Sequence, residues 1–303
     1  MAPQRISFHD QIARNKLKSF FLILSVFIAL ILFGVIVGYI AGPTYFTIIM
    51  IISIIFSLSY ILLSYYNSDK IALAAANAKP ASQRDYPMYH NIVEGLCLAS
   101  GLPKPRLYIM ENKDINAFAS GRDPEHAVIA VTTGALEKLN KHELEGVLAH
   151  ELSHVANYDI RFMTLTAVLV GMIAIASEIF LRSLFWGSFS NDNNNKGRAQ
   201  LIFIILGILF AILAPIAVTL VQLAISRKRE YMADATGVKF VRSPTGLIGA
   251  LRKIAAEHPS PQSKKVSKAI APLFISNPFK TKGDSFWSTH PELKNRIAIL
   301  ERM

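Results

Sequence analysis

The sequence predicts an integral membrane protein that is mainly α-helical and carries a small β-sheet outside the membrane. Two observations support this fold class. Hydrophobic residues make up 52% of the 303-residue chain and the mean hydropathy is +0.35, whereas soluble domains are rarely so apolar. The more polar stretches combine helical patterns with short β-branched runs, which are typical of a mixed but mainly helical domain.

Four apolar blocks are long enough to cross a bilayer as helices, for which about 20 residues suffice. These predicted transmembrane helices lie at residues 20–41, 45–66, 162–181 and 201–225. Only Gly42, Pro43 and Thr44 separate the first two, which argues against a cleaved signal peptide and predicts a helical hairpin. The third block contains Glu178, and a long buried helix of a soluble domain stays open as its alternative.

The positions of the basic residues predict the orientation in the membrane. The loop at 42–44 is uncharged, whereas the N-terminal tail carries Arg5, Arg14, Lys16 and Lys18. The positive-inside rule therefore places the tail, residues 67–161 and the C-terminal part in the cytoplasm. The net charge of +11 is assigned to attraction for anionic lipid headgroups rather than for nucleic acid, because the basic residues flank the apolar blocks.

Two domains are predicted. Residues 1–66 form the N-terminal tail and the hairpin, and residues 67–303 form a second domain into which the other two membrane helices are inserted. Within the second domain, a helix is expected at 88–99 and a small sheet from the segments 106–110, 116–119 and 127–132. The single cysteine, Cys97, excludes an internal disulfide and is expected in the core. The oligomeric state is not indicated.

A further helix is predicted to begin after Asn140. Asn140 is a favourable N-cap, and Glu143 stands at the capping-box position three residues later. The buried face of this helix is expected to comprise Leu144, Val147, Leu148, Leu152 and Val155. Gly146, one turn before the next histidine, is expected to leave room beside a bound metal.

The same helix carries the motif His150-Glu151-Leu152-Ser153-His154. Histidines four residues apart lie one turn from each other on a helix, so both imidazoles can bind one metal ion, for which zinc is the usual choice. Glu151 is then placed to act as a general base toward a zinc-bound water. A third ligand must come from elsewhere, and Glu230, just after the fourth apolar block, is as consistent with zinc binding as with a solvated charge. Asp234, one helical turn later, could accept the free N–H of a ligand histidine.

The motif regions together resemble the HtpX-type membrane zinc endopeptidases, which are bacterial relatives of the CAAX prenyl proteases. The resemblance rests on the residues at 150–159, 226–234, 288–291 and 116–119, and it extends over nearly the whole chain. It implies a gluzincin-like fold, one Zn²⁺ per chain with Glu230 as third ligand, and a site facing the cytoplasm of a bacterial inner membrane. It also implies peptide-bond hydrolysis in stress response and protein quality control, on misfolded or damaged membrane proteins or unfolded polypeptides. Glu292 departs from the family, where a second proline is common.

Other site residues have two interpretations each. His290 is either a donor to the oxyanion or a structural histidine at a helix start. The segment Asn116, Ala117 and Phe118 is either an edge strand that pairs with substrate backbone or an ordinary internal strand. Arg227 either pairs with Glu230 or Asp234, or lies at the membrane edge with its charge in the headgroups. Asp159 is as consistent with bracing the end of the metal-binding helix as with a surface charge.

Two other functions are weighed against an enzyme. A membrane scaffold or holdase with a structural zinc would need no base beside its ligands, and Glu151 therefore argues against it. A transporter would carry several charges or broken helices within its spans, whereas these four blocks are nearly free of charge.

Overall fold

A computed structural model describes residues 8–169, 227–257, 268–276 and 291–303. The predicted transmembrane segment 201–225 lies outside these ranges, as does the part of the segment 162–181 that follows residue 169.

The first two apolar blocks form a hairpin of long helices, as predicted. Helix α1 spans Phe8–Ala41 and helix α2 spans Pro43–Tyr66. Gly42 joins them with a φ of 96°, a left-handed conformation that glycine adopts without steric cost. Both helices are long and apolar enough to cross a membrane, over Ile12–Tyr39 and Pro43–Tyr66.

Helix α1 begins before the predicted boundary at residue 20. Its polar first turns continue the same buried face as its apolar part, since the buried residues follow the helical spacing Asn15, Ser19, Leu22 and Val26. This face packs against a helix at 159–169, here called α7, through Phe162, Leu165 and Leu169. The helix is therefore held by the protein on one side, while many of its apolar side chains are exposed.

The predicted small sheet is present and has four strands in the order β1-β2-β4-β3. Strands β2 and β4 are parallel, and the two outer pairs are antiparallel. Strand β3 therefore lies at an edge. The elements from the end of the hairpin to β4 are α3 (Ser68–Ala75), β1 (Lys79–Pro80), α4 (Pro87–Ser100), β2 (Arg106–Met110), β3 (Ala117–Ser120) and β4 (Val128–Thr132).

Six α-helices follow β4 in the described part of the chain. They are α5 (Thr133–Lys138), α6 (Lys141–Ala156), α7, α8 (Arg227–Val241), α9 (Thr245–Ala256) and α10 (Leu293–Leu300). The predicted start of α6 is confirmed: Asn140 Oδ1 accepts from the Glu143 amide at 2.9 Å, and Glu143 Oε2 accepts from the Asn140 amide at 2.8 Å. This reciprocal cap fixes the first turn of the helix that bears the histidine motif.

The largest core lies among the sheet, α4, α6 and α9. The predicted buried face of α6 is confirmed, because Leu144, Val147, Leu148, Leu152 and Val155 are all at most 1% exposed. Cys97 is buried in the same core, as expected. Residues from before 161 and after 227 both contribute to it.

Two glycines on α6 and α8 permit close helix approach. The expectation that Gly146 leaves room beside the metal is wrong: a Cβ there would lie 2.4 Å from the Leu247 backbone nitrogen, so this glycine admits α9. At Gly237 a Cβ would lie 3.0 Å from the His150 backbone nitrogen. The absence of a side chain at Gly237 therefore lets α8 lie directly against the helix that carries the histidines.

Candidate active site

The structure brings together the two histidines of α6 and a glutamate of α8. The candidate ligand atoms of His150, His154 and Glu230 all lie within 4.8 Å of one another. Glu230 Oε2 is 3.7 Å from His150 Nε2, and Glu230 Oε1 is 3.8 Å from His154 Nε2. All three residues are at most 5% exposed, so this cluster is an enclosed group of side chains that could hold a metal ion.

Each histidine is oriented by a carboxylate on its other ring nitrogen. Asp234 Oδ1 lies 2.9 Å from His150 Nδ1, and Asp159 Oδ2 lies 3.2 Å from His154 Nδ1. Both aspartates are buried. In the neutral imidazole such pairs fix the tautomer with the proton on Nδ1, so that Nε2 of each ring, which faces Glu230, is the atom that can bind a metal.

Glu151 lies beside this cluster and faces the sheet. It is 1% exposed, and its Oε2 is buried without a hydrogen-bond partner within the described part of the chain. Burial raises the pKa of the Glu151 carboxyl to about 7; the charge on Glu230 adds to the rise, while His154 and the amide of Ala119 oppose it. A carboxyl of this pKa can both accept and release a proton near neutral pH.

The donor set fits a zinc ion. Two imidazole nitrogens and one carboxylate are the ligands of many catalytic zinc sites, in which a fourth position stays open. The buried Oε2 of Glu151, which has no hydrogen-bond partner among the residues that the structure describes, supports this fit, because a buried carboxylate oxygen is costly unless a ligand or water contacts it.

Arg296 on α10 is a buried residue of this region that the sequence analysis missed. It is 0% exposed and donates through Nε and Nη2 to the two carboxylate oxygens of Asp234, at 2.9 and 2.6 Å. Its Nη1 lies 3.5 Å from Glu230 Oε2. The spacing of Leu293, Arg296 and Leu300 places this arginine on the apolar face of α10, a signal from which its burial could have been inferred.

Two predicted site residues cannot be placed. His290 lies outside the described residues. Arg227 is the first residue of α8, and its side chain also lies outside them. The arginine that contacts the site from this segment is instead Arg229, whose Nε is 3.1 Å from Asp159 Oδ1. Asp159 therefore braces the end of α6 rather than lying on the surface.

The predicted substrate-binding segment forms the start of edge strand β3, but another part of the chain lies along it. The Ile275 amide donates to the Ala117 carbonyl at 3.0 Å, and Phe118 pairs with Phe274. The Asn116 side chain donates to the carbonyl of Ser276 at 2.8 Å. The substrate-binding role of Asn116, Ala117 and Phe118 therefore stays a prediction. It requires residues 274–276 to move away from the edge of β3 when substrate binds there.

Comparison with known proteins agrees with this geometry. The model of peptidase family M48 matches residues 83–303. A protease HtpX homologue of Thermoanaerobacter pseudethanolicus is 47% identical over 252 residues, which is 82% of this chain and 83% of that protein. A protease HtpX homologue of Listeria monocytogenes is 41% identical over 304 residues, 97% of this chain and 99% of that protein.

Among solved structures, the crystal structure of Ste24p from S. mikatae is similar, with a TM-score of 0.48 and 17% identity. It covers 96% of this chain, and this chain covers 66% of it. The resemblance to HtpX-type proteases is confirmed by the family match and by the identities to curated relatives. The chain therefore belongs to peptidase family M48 and is a metalloprotease of the HtpX-like group.

Proposed function

We propose that this protein is a zinc-dependent endopeptidase of the bacterial inner membrane, with its N-terminus and active site in the cytoplasm. One zinc ion is bound by His150, His154 and Glu230, and Glu151 is the general base. The observation that carries the proposal is the convergence of these three ligand atoms within 4.8 Å, with the buried carboxylate of Glu151 next to them.

The chemistry follows from the placement of Glu151. When bound, zinc lowers the pKa of a coordinated water toward neutrality and polarises the scissile carbonyl. Glu151 removes a proton from the attacking water and later delivers this proton to the departing amine. Water is thereby added across the C–N bond, and Glu151 returns to its ionised form.

Substrate backbone is proposed to pair with the edge of β3. The amide of Ala119 contacts Glu151, so the strand edge and the base lie side by side. Recognition through main-chain hydrogen bonds accepts many sequences, which suits an enzyme that degrades misfolded or unfolded polypeptides. Binding along Asn116, Ala117 and Phe118 would displace the contacts that the 274–276 segment makes there.

A role in the quality control of membrane proteins is supported by the connection between the site and the hairpin. Asp159, which contacts His154, also contacts Asn15 of the first membrane helix. The site therefore lies beside the N-terminal part of α1. We propose that damaged or misfolded membrane proteins are its substrates.

His290 is proposed to donate a hydrogen bond to the oxyanion, on the basis of the family resemblance. A turnover defect in His290→Ala at unchanged zinc content would support this role. Unchanged turnover and unchanged zinc content would remove it.

Proteolysis by the purified full-length protein tests the proposed function. Casein and a destabilised membrane protein are incubated with the enzyme, with a chelator, and with zinc added back. Cleavage is expected to stop with the chelator and to return with zinc. Glu151→Gln is expected to cleave about 10²- to 10⁴-fold more slowly than the parent, the usual contribution of a general base.

Glu145→Gln is the matched control, because Glu145 lies on the same helix but is partly exposed, 3.6 Å from His142. Its activity is expected to equal that of the parent. A Glu151→Gln protein that cleaves as fast as the parent would instead favour a scaffold with a structural zinc.

A further inference from the structure

Asn15 of the membrane helix α1 makes two buried hydrogen bonds to the protease part of the chain. It is 6% exposed, and its Nδ2 donates to the Asn157 carbonyl at 3.0 Å and to Asp159 Oδ1 at 2.7 Å. An amide group has two N–H donors, so both are used. These contacts join residues more than 140 positions apart in the sequence.

The two acceptors flank the turn that ends the histidine helix. Asn157 is the C-cap of α6, and Asp159 is the first residue of α7. Between them, Tyr158 has a φ of 57°, a left-handed conformation that is uncommon for a residue with a side chain. Lys16 lies over the Tyr158 ring, with Nζ 4.6 Å from its centroid. Adjacent residues of α1 therefore contact all three residues of this turn.

Asp159 connects Asn15 to His154, the proposed metal ligand. Its Oδ1 is held by Asn15 and by Arg229, and its Oδ2 is 3.2 Å from His154 Nδ1. With one oxygen held from two sides, the carboxylate cannot rotate without losing these bonds. The direction of the hydrogen bond to His154 is thus set by residues outside α6.

The packing of α1 does not require an amide at this position. The same face of the helix continues with Leu22 and Val26, which pack against Phe162, Leu165 and Leu169. An apolar residue at 15 would continue that contact, whereas a buried amide is costly unless its hydrogen bonds are made. What distinguishes Asn15 is the pair of bonds to the turn.

We propose that Asn15 is a positioning residue for the zinc site. It acts through Asp159 to hold the His154 imidazole in the orientation that binds the metal, so that one side chain of the first membrane helix contributes to metal retention. The inference rests on the proposed function, in which His154 is a zinc ligand.

The rate of zinc transfer from the full-length protein in detergent micelles to a chromogenic chelator tests the proposal. Asp159→Asn is expected to release zinc about 10- to 100-fold faster than the parent, the range for groups that orient a ligand histidine. Asn15 reaches His154 only through Asp159. Asn15→Leu is therefore expected to have a smaller effect and to release zinc roughly 3- to 10-fold faster than the parent. Asn15→Asp keeps the size of the side chain and provides a second variant if the leucine variant does not fold.

Leu22→Ala is the matched control, because it weakens the same helix contact without removing a hydrogen bond to the turn. Its zinc release is expected to match the parent. Asn15→Leu combined with Asp159→Asn is expected to release zinc no faster than Asp159→Asn alone, since both changes remove the same orienting contact. The absorption spectrum of the Co²⁺-substituted protein is expected to change in Asn15→Leu and not in Leu22→Ala.

The following results would contradict one of the two proposals. Zinc release at the parental rate in both Asn15 variants would overturn the proposal, as would equal effects of Asn15→Leu and Leu22→Ala, or multiplicative effects in the double variant. A parent protein that binds no zinc, or a His154→Ala variant that retains it fully, would instead contradict the proposed function.

Discussion

Replacement of Arg296 by Met is expected to destabilise the protein strongly. The arginine is fully buried and binds both carboxylate oxygens of Asp234, at 2.6 and 2.9 Å. Methionine has a similar length but no charge, so the variant leaves Asp234 buried without this ion pair. Asp234 is itself 1% exposed, and water cannot replace the lost donors without rearrangement.

The expected loss of stability is about 3–5 kcal/mol, the usual cost of removing one partner of a buried pair. For a domain of this size, each kcal/mol lowers the melting temperature by about 2–4 °C, so the decrease is roughly 6–20 °C. Arg252→Met is the control: Arg252 pairs with Glu301 at 2.6 Å, but both side chains are largely exposed. Its removal is expected to cost at most about 1 kcal/mol.

Thermal unfolding of the chelator-treated proteins separates this effect from loss of metal. Asp234→Asn combined with Arg296→Met is expected to be more stable than Arg296→Met alone, because it removes the unpaired charge. Equal melting temperatures for the Arg296 and Arg252 variants would refute the reasoning. A double variant that is no more stable than Arg296→Met alone would also refute it.

Three further predictions concern the metal and the helix contacts. Burial lowers the pKa of His154, but its carboxylate neighbours outweigh this effect and raise the pKa to about 9. Because zinc must displace a proton from this imidazole, zinc affinity in a competition titration is expected to rise as the pH increases from 6 to 9. A zinc affinity that does not change over this pH range would contradict the prediction. Gly146→Ala is expected to lower the free energy of unfolding by about 1–3 kcal/mol, because the new Cβ would overlap the Leu247 backbone. Gly95→Ala places its Cβ in open space and is expected to raise the free energy of unfolding by about 0.5–1 kcal/mol. A higher melting temperature for Gly146→Ala than for Gly95→Ala would be inconsistent with the packing. Asn140→Ala is expected to lose about 1 kcal/mol through loss of the helix cap, and an unchanged melting temperature would show that the cap is dispensable.

The parts of the fold that depend on local pattern could be predicted from the sequence. The length of the apolar blocks predicted the hairpin, short apolar or β-branched runs predicted the strands, and the spacing of Asn140 and Glu143 predicted the start of α6. The pair His150 and His154 could be assigned to one metal for the same reason, because helical geometry alone brings them together.

Contacts between distant segments could not be predicted in this way. Spacing alone could not decide whether Glu230 is a metal ligand or a solvated charge. Only the packing of α8 on α6 at Gly237 brings Glu230 to the histidines. Gly146 was misinterpreted because nothing local indicates the approach of α9. Arg296 and Asn15 were missed as site residues because each reaches its aspartate from a helix far away in the sequence.

X-ray absorption at the zinc edge tests the metal centre most directly, on the zinc-loaded full-length protein and on Glu230→Gln. For the parent, we expect one zinc per chain with nitrogen and oxygen neighbours at about 2.0–2.2 Å and no sulfur at about 2.3 Å. The variant is expected to bind zinc far more weakly. A sulfur neighbour in the parent, or the same affinity and spectrum in both proteins, would show that the ion is held elsewhere.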